Sequence, residues 1–141
     1  MDLLVQMVRE RQCFCVQSFT GLENLRYLAS IRSTIRDTDI KATMKRVGLD
    51  PEDTRKVRVY SLGMKQKLAF AQAVMESPPL LILDEPTRGL DSESVIMVRE
   101  ILYEEREKGT TALIASHNQK DISSLCNQVF FLDSGRIVDV L

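Results

Sequence analysis

The sequence is short of several residue types that mark large classes of protein. Its 141 residues include no tryptophan, one histidine and three cysteines. Because the cysteine count is odd and Cys13, Cys15 and Cys126 lack the spacing of a disulfide framework, we expect reduced thiols and a cytosolic compartment. No window of about 18 apolar residues occurs, which predicts no membrane-spanning helix. The first residues lack the basic start and small-residue cleavage site of a signal peptide.

An excess of charge of one sign is also missing. The formal net charge is −1, so no overall field draws the chain to nucleic acid or to an anionic membrane. The two parts of the sequence differ, however, because residues 1–78 sum to +4 and residues 79–141 sum to −5. With 44% hydrophobic and 28% charged residues, the composition is that of one ordinary globular domain.

A third absence concerns phosphate binding. A phosphate-cradling loop requires the pattern Gly-x-x-x-x-Gly-Lys-Ser/Thr, in which the glycines allow close backbone approach and the lysine reaches the terminal phosphates. No two of the six glycines have this spacing, and no lysine is followed by serine or threonine. The sequence therefore supplies no such loop.

What is present is a regular alternation of helix and strand patterns. Residues 1–19 carry little signal, and an apolar strand pattern at 80–83 follows Pro78-Pro79. A helix at 93–108 with Ser92 as its cap, a β-rich run at 110–116 and two strands around the Ser134-Gly135 turn come later. The remaining periodic segments, at 21–33, 38–47, 62–76 and 120–126, predict helices. This order predicts an α/β fold.

Two adjacent carboxylates, Asp84 and Glu85, follow the predicted strand at 80–83. The carboxyl ends of strands in open α/β sheets are where ligands bind. One acid in such a pair can hold Mg²⁺ and the other can orient or deprotonate an attacking water. The alternative is that both are solvated acids at the start of a loop.

A serine and a glycine mark the start of the helix predicted at 62–76. Ser61 and Gly63 lie where free backbone N–H groups and the helix dipole favour an anion such as phosphate. The alternative is that Ser61 is only an N-cap and that Gly63 allows tight packing. For His117, the only histidine, the alternative to a functional role is likewise a structural one.

Taken in order, these segments resemble the ATP-binding cassette family, the ATPase subunits of ABC transporters. Residues 60–64 (Tyr-Ser-Leu-Gly-Met) lie where the family has its Leu-Ser-Gly-Gly-Gln signature, and residues 65–68 (Lys-Gln-Lys-Leu) continue like its Arg-Gln-Arg-Leu. Asp84-Glu85 resembles the Walker B aspartate and catalytic glutamate. Residues 89–92 (Gly-Leu-Asp-Ser) are similar to the D-loop, and Ser116-His117 to the segment of the switch histidine.

The sequence departs from the family at several positions. Leu62 and Met64 replace a signature glycine and glutamine, a variant that resembles bacterial exporters of the antibiotic and lantibiotic self-protection type. Gln12 is the nearest candidate for the Q-loop glutamine. The phosphate loop, called Walker A, and the adenine-stacking aromatic before it are missing. The resemblance therefore implies an incomplete P-loop NTPase-like cassette that lacks about the first third.

In the family, two cassettes enclose two ATP molecules head to tail, which implies a role for each residue. Asp84 would hold Mg²⁺, Glu85 would polarise the attacking water, and His117 would contact the γ-phosphate. Asp91 would help to couple the two sites. The implied cofactors are ATP and Mg²⁺, and the chemistry is phosphoryl transfer to water.

The signature residues Ser61, Leu62 and Gly63 would instead serve the ATP of a partner cassette. The implied partners are a second ABC ATPase subunit and a membrane-spanning permease, with no nucleic acid, at the inner face of the cell membrane. The implied organisation is an N-terminal segment at 1–18, a helical signature subdomain at 19–78 and a Walker B, D-loop and switch-histidine core at 79–141.

Two functions follow from the resemblance. The first is that of a truncated ATP-binding subunit that couples ATP binding and hydrolysis to substrate export. The second is a non-catalytic interaction or regulatory module that pairs with an intact cassette and donates only its signature motif. A DNA-repair or translation type of cassette ATPase is disfavoured, because the chain has no basic stripe and carries the exporter-like signature variant.

Overall fold

A three-stranded parallel sheet brings a strand near the start of the sequence beside two strands from residues 79–141. The computed structural model describes the strand β1 (Val5–Val8) and residues 15–141. In this part of the chain β1 pairs with β2 (Leu80–Asp84), which pairs in turn with β3 (Thr111–Ala115). Both pairings are parallel, and α4 (Ser92–Glu107) forms the crossover from β2 to β3. The strand β1 lies in the stretch for which the sequence predicted no element.

Three helices precede β2 and share its hydrophobic core. They are α1 (Gly21–Arg32), α2 (Asp37–Arg46) and α3 (Leu62–Val74). Thr20 begins α1 with a capping box, in which its hydroxyl accepts from the backbone N–H of Glu23 while the Glu23 carboxylate accepts from the Thr20 N–H. These helices and β2 contribute the fully buried side chains of one continuous cluster, among them Leu25, Met44, Leu68, Leu81 and Leu83.

The predicted boundaries of α4 are correct to within a residue, but its predicted cap is wrong. Asp91, not Ser92, is the N-cap, because the Asp91 carboxylate accepts a hydrogen bond from the backbone N–H of Ser94 at 2.8 Å. That hydrogen bond lowers the pKa of Asp91 below its ordinary value. A residue assigned by the resemblance to coupling between sites therefore also holds the start of a 16-residue helix.

The C-terminal elements are α5 (Gln119–Leu125) and an antiparallel pair, β4 (Phe130–Asp133) and β5 (Arg136–Val140). Both strands of this hairpin are exposed along their whole length. Leu132 and Ile137, which face each other in the ladder, are 70% and 60% exposed. Leu113 on β3 is similarly exposed. In the described part of the chain, the hairpin and the outer edge of β3 thus present apolar surface to solvent.

The cysteines do not all match the prediction of reduced thiols. Cys126 is a free thiol, and burial, followed by the nearby Asp121 carboxylate, raises its pKa. Cys15 is disulfide-bonded, so the prediction is wrong for this residue. Spatial proximity decides whether two thiols are linked, and the number of cysteines does not report it.

No helix in the described residues is long and apolar enough to cross a bilayer.

Candidate functional site

The predicted acidic pair lies at the carboxyl edge of the sheet, beside the end of the neighbouring strand. Asp84 is the last residue of β2 and pairs in register with Ala115, the last residue of β3. The backbone N–H of Glu85 donates to the carbonyl of Ala115 at 2.8 Å, which extends the ladder by one bond. The two loops that leave the sheet therefore start side by side, one with Glu85 and the other with Ser116.

This arrangement brings Glu85 and His117 into direct contact. One carboxylate oxygen of Glu85 lies 2.5 Å from His117 Nδ1 and accepts from the His117 backbone N–H at 3.1 Å. The Glu85 side chain is 16% exposed, whereas that of His117 is 74% exposed. A largely buried carboxylate is thus held against an imidazole that faces solvent. Two residues 32 positions apart in the sequence form one polar unit.

The backbone of Glu85 is itself unusual, because its φ is +51°. Residues other than glycine rarely adopt this left-handed region, because their Cβ atom clashes with the backbone. Those that do adopt it cluster at functional sites. The conformation turns the chain sharply at the end of β2. It therefore allows the Glu85 carboxylate to reach across to the segment that follows β3.

Asp84 is half-buried at the end of β2 and supplies the kind of hard oxygen that Mg²⁺ prefers. Among residues 15–141, no group of three or more His, Cys, Asp or Glu side chains is placed to hold a metal ion. A single carboxylate suits Mg²⁺ that is bound mainly by water and substrate phosphates. Asp84 thus fits Mg²⁺ that arrives with a nucleotide.

The start of α3 is open to solvent. The Ser61 hydroxyl accepts from the backbone N–H of Met64 at 3.2 Å, so Ser61 is an N-cap as one reading of the sequence expected. Leu62 is 53% exposed, and a Cβ added at Gly63 would meet no atom within 4 Å. The exposed serine and the free space at Gly63 leave the positive end of the helix dipole accessible to an anion from outside the chain.

Two groups of predicted residues therefore remain separate. In the described part of the chain, no hydrogen bond or ion pair connects Ser61, Leu62 or Gly63 with Glu85 or His117. This separation is compatible with a signature motif that acts on another chain's ligand. Gln12, the Q-loop candidate, lies outside the described residues.

Sequence reasoning missed the side chains that hold the loop between β2 and α4. The Gln66 amide on α3 donates to the Arg88 carbonyl at 2.6 Å, which connects α3 to this loop. Thr87, in the same loop, donates its hydroxyl to the buried Asp121 of α5. The only sequence signal for Thr87 is its place two residues after Glu85, and the partner on α5 leaves no signal at all.

Two solved structures of ATP-binding cassettes share this architecture. An ATP-binding subunit of an ABC transporter superposes on 96% of this chain with a TM-score of 0.86 and 24% sequence identity, and the match covers 57% of that subunit. A dimeric cassette bound to ADP and Pi superposes on 97% of the chain with a TM-score of 0.82, 21% identity and 62% coverage of its own chain. The fold is therefore that of part of an ABC ATPase cassette.

Sequence comparison gives the family. The ABC transporter family profile matches residues 4–88, and the chain belongs to this family. The ATP-binding protein YybJ of Bacillus subtilis is 41% identical over 119 residues. The bacitracin transport ATP-binding protein BcrA of Enterococcus faecalis is 37% identical over 123 residues, and the lantibiotic transport ATP-binding protein SrtF of Streptococcus pyogenes is 34% identical over 122. The matches cover 55% of YybJ, 40% of BcrA and 53% of SrtF.

Proposed function

We propose that this chain acts as part of the ATP-binding subunit of an ABC exporter, in which it supplies the Walker B, switch-histidine and signature residues. The observation that carries the proposal is the contact between Glu85 and His117 at the carboxyl edge of the β2–β3 pair. An acid and an imidazole at this edge are suited to orient water beside a phosphate. The relatives named for bacitracin and lantibiotic transport support export of an antibiotic-like compound.

The proposed roles divide between two nucleotides. Asp84 holds Mg²⁺, Glu85 orients the attacking water and His117 donates a hydrogen bond to the terminal phosphate. When bound, Mg²⁺ neutralises charge that develops on the phosphate oxygens. Asp91, at the N-cap of α4, couples this site to the one across the dimer.

The signature residues face the other nucleotide. Ser61 and the backbone N–H groups of Leu62 and Gly63 contact the phosphates bound by a partner cassette. Their exposure supports this role, because a ligand of a second chain must approach the start of α3 from outside. The proposal thus includes a second ABC ATPase subunit and a membrane-spanning permease as partners, with the chain at the inner face of the cell membrane.

These 141 residues contain no phosphate loop to bind a nucleotide at the site formed by Asp84, Glu85 and His117. We propose that residues 19–78 form the signature subdomain and 79–141 the Walker B core of a cassette. Most of the binding energy for the β- and γ-phosphates comes from the missing loop and its lysine. The chain alone is expected not to bind MgATP at micromolar concentrations in calorimetry, and a micromolar dissociation constant would contradict this.

The experiment that tests the signature role pairs the chain with a complete cassette subunit. The partner's ATPase rate is expected to fall with Ser61→Arg, because the larger cation fills the opening at the start of α3. Ser30→Arg on the exposed face of α1 is the matched control and is expected to leave the rate unchanged. An unchanged rate with Ser61→Arg in a verified heterodimer would count against the proposal.

A non-catalytic interaction module is the second candidate. It is favoured by the exposed start of α3, because donating the signature motif to a partner requires neither a phosphate loop nor the Glu85 carboxylate. In that case Ser61→Arg lowers the partner's ATPase rate, whereas Glu85→Gln in this chain has no effect. If Glu85→Gln also lowers the rate, the site of this chain takes part in hydrolysis and the first function is supported.

A further inference from the structure

A fully buried carboxylate joins the two loops that carry the candidate catalytic pair. Asp121 on α5 has no exposed surface, and a buried carboxylate is costly unless charged or polar groups surround it. Arg99 on α4 supplies two contacts to its Oδ1, from Nη2 at 2.5 Å and from Nε at 3.0 Å. The Thr87 hydroxyl donates to its Oδ2. The three residues of this cluster come from different parts of the fold: Asp121 from α5, Arg99 from α4 and Thr87 from the loop between β2 and α4.

The position of this cluster relative to the site is what gives it a role. Thr87 lies two residues after Glu85, and Asp121 lies four residues after His117. The segments that carry Glu85 and His117 thus meet at the Glu85–His117 pair and again at the buried Thr87–Asp121 hydrogen bond. The Arg99–Asp121 ion pair then connects this hydrogen bond to α4, the helix that crosses from β2 to β3.

The Glu85–His117 pair needs such support. His117 is 74% exposed, so solvent weakens its attraction to the largely buried Glu85 carboxylate. Glu85 also adopts the left-handed φ of +51°, which persists only where the surroundings enforce it. A buried, charge-assisted hydrogen-bond cluster two residues away meets that requirement.

We propose that Asp121 is a positioning residue that, through Thr87 and the start of α5, holds Glu85 and His117 in contact. This inference rests on the proposed function for its catalytic meaning, because it assigns Asp121 to the same site. Asp121 touches neither nucleotide nor water in the mechanism. Its effect reaches the site through the backbone of the two loops, and Arg99 keeps its charge compensated.

The single histidine makes the proposal measurable without nucleotide. His117 gives the only imidazole resonances in the NMR spectrum of the full chain, and they report directly on the Glu85 contact. Glu85→Gln, which removes the charge beside the ring, defines the resonance position of the broken pair. Thr87→Val removes only the hydroxyl that reaches Asp121 and leaves the Arg99–Asp121 pair in place.

Thr110→Val is the matched control. Thr110 is also buried and donates its hydroxyl to the Pro78 carbonyl at 2.9 Å, but it lies at the opposite, amino end of β3. Thr87→Val is expected to move the His117 resonances at least halfway toward those of Glu85→Gln, and Thr110→Val to leave them in place. Asp121→Asn is expected to move them as far as Thr87→Val or farther, because it also weakens the pair with Arg99.

Two results would overturn the proposal. If Glu85→Gln moves the His117 resonances while Thr87→Val does not, the contact exists but the buried cluster does not hold it. If Glu85→Gln leaves the resonances in place, the contact itself is absent in solution. Because neither result depends on nucleotide or on a partner cassette, failure of the proposed ATPase function would be recognised separately by the paired assay with Ser61→Arg.

Discussion

Arg46→Ala is expected to destabilise the chain far more than loss of an ordinary surface ion pair. Arg46 on α2 donates to the Glu105 carboxylate on α4 at 2.9 Å and also contacts Glu104. The Glu105 side chain is 1% exposed, and its Oε2 has no hydrogen-bond partner. The pair thus connects α2 to α4 across 59 residues of sequence through one buried charge.

The magnitude follows from what remains after the substitution. Removing one partner of a buried ion pair costs about 3–5 kcal/mol, because the other charge stays buried. Here Lys108 Nζ still lies 2.9 Å from Glu105 Oε1, although the Lys108 side chain is half-exposed. We therefore expect a loss of about 2–3 kcal/mol, somewhat below the full cost. With a urea m-value of about 1.5–2 kcal/mol/M, the unfolding midpoint falls by roughly 1–2 M.

Two comparisons make the test specific. Lys41→Ala breaks the exposed pair with Glu52, which lies at 3.0 Å, and is expected to cost at most about 1 kcal/mol. In a Glu105→Leu background no buried carboxylate remains, so Arg46→Ala should there also cost less than about 1 kcal/mol. Urea denaturation followed by circular dichroism measures all four variants. Equal losses for Arg46→Ala and Lys41→Ala would refute the buried-charge argument.

Two further predictions concern acid stability and self-association. Hydrogen bonds from Arg26 to Asp37, from Arg55 to Asp53 and from the Ser94 backbone to Asp91 lower the pKa of each carboxyl. Such carboxyl groups stabilise the fold above their unfolded pKa, and this stabilisation is lost as the pH falls through their lower folded pKa. The urea midpoint should therefore decrease as the pH is lowered from about 5 to about 2. A constant midpoint over this range would contradict the prediction. The exposed apolar face of the β4–β5 hairpin should cause self-association of the chain. The double variant Leu132→Lys/Ile137→Lys should reduce this association, as measured by sedimentation velocity. A wild-type monomer with a sharp cooperative melt would count against the prediction.

Much of the fold was readable from local pattern. The helix at α1 and the strands at β2 and β5 follow from apolar spacing and from turn residues, which act over a few positions. The strand β1 could not be read in this way, because its evidence is the parallel pairing with β2, more than 70 residues away. The prediction of Ser92 as the cap of α4 is wrong because Asp91 and Ser92 are both good caps, and only backbone geometry distinguishes them.

The sequence by itself also determined which residues are candidates for chemistry. It identified the acidic pair Asp84-Glu85, the lone His117 and the serine and glycine at the start of α3, because residue type and order along the chain are local information. It equally determined that no phosphate loop lies within the 141 residues.

Only the tertiary structure decided how these residues act together. It placed Glu85 against His117, buried Asp121 between Thr87 and Arg99, and left the start of α3 open to solvent. These contacts span 22 to 34 residues and depend on how α4 carries the chain from β2 to β3. The physical reason is that hydrogen bonds and burial depend on distance in space, which the local pattern of a sequence does not contain.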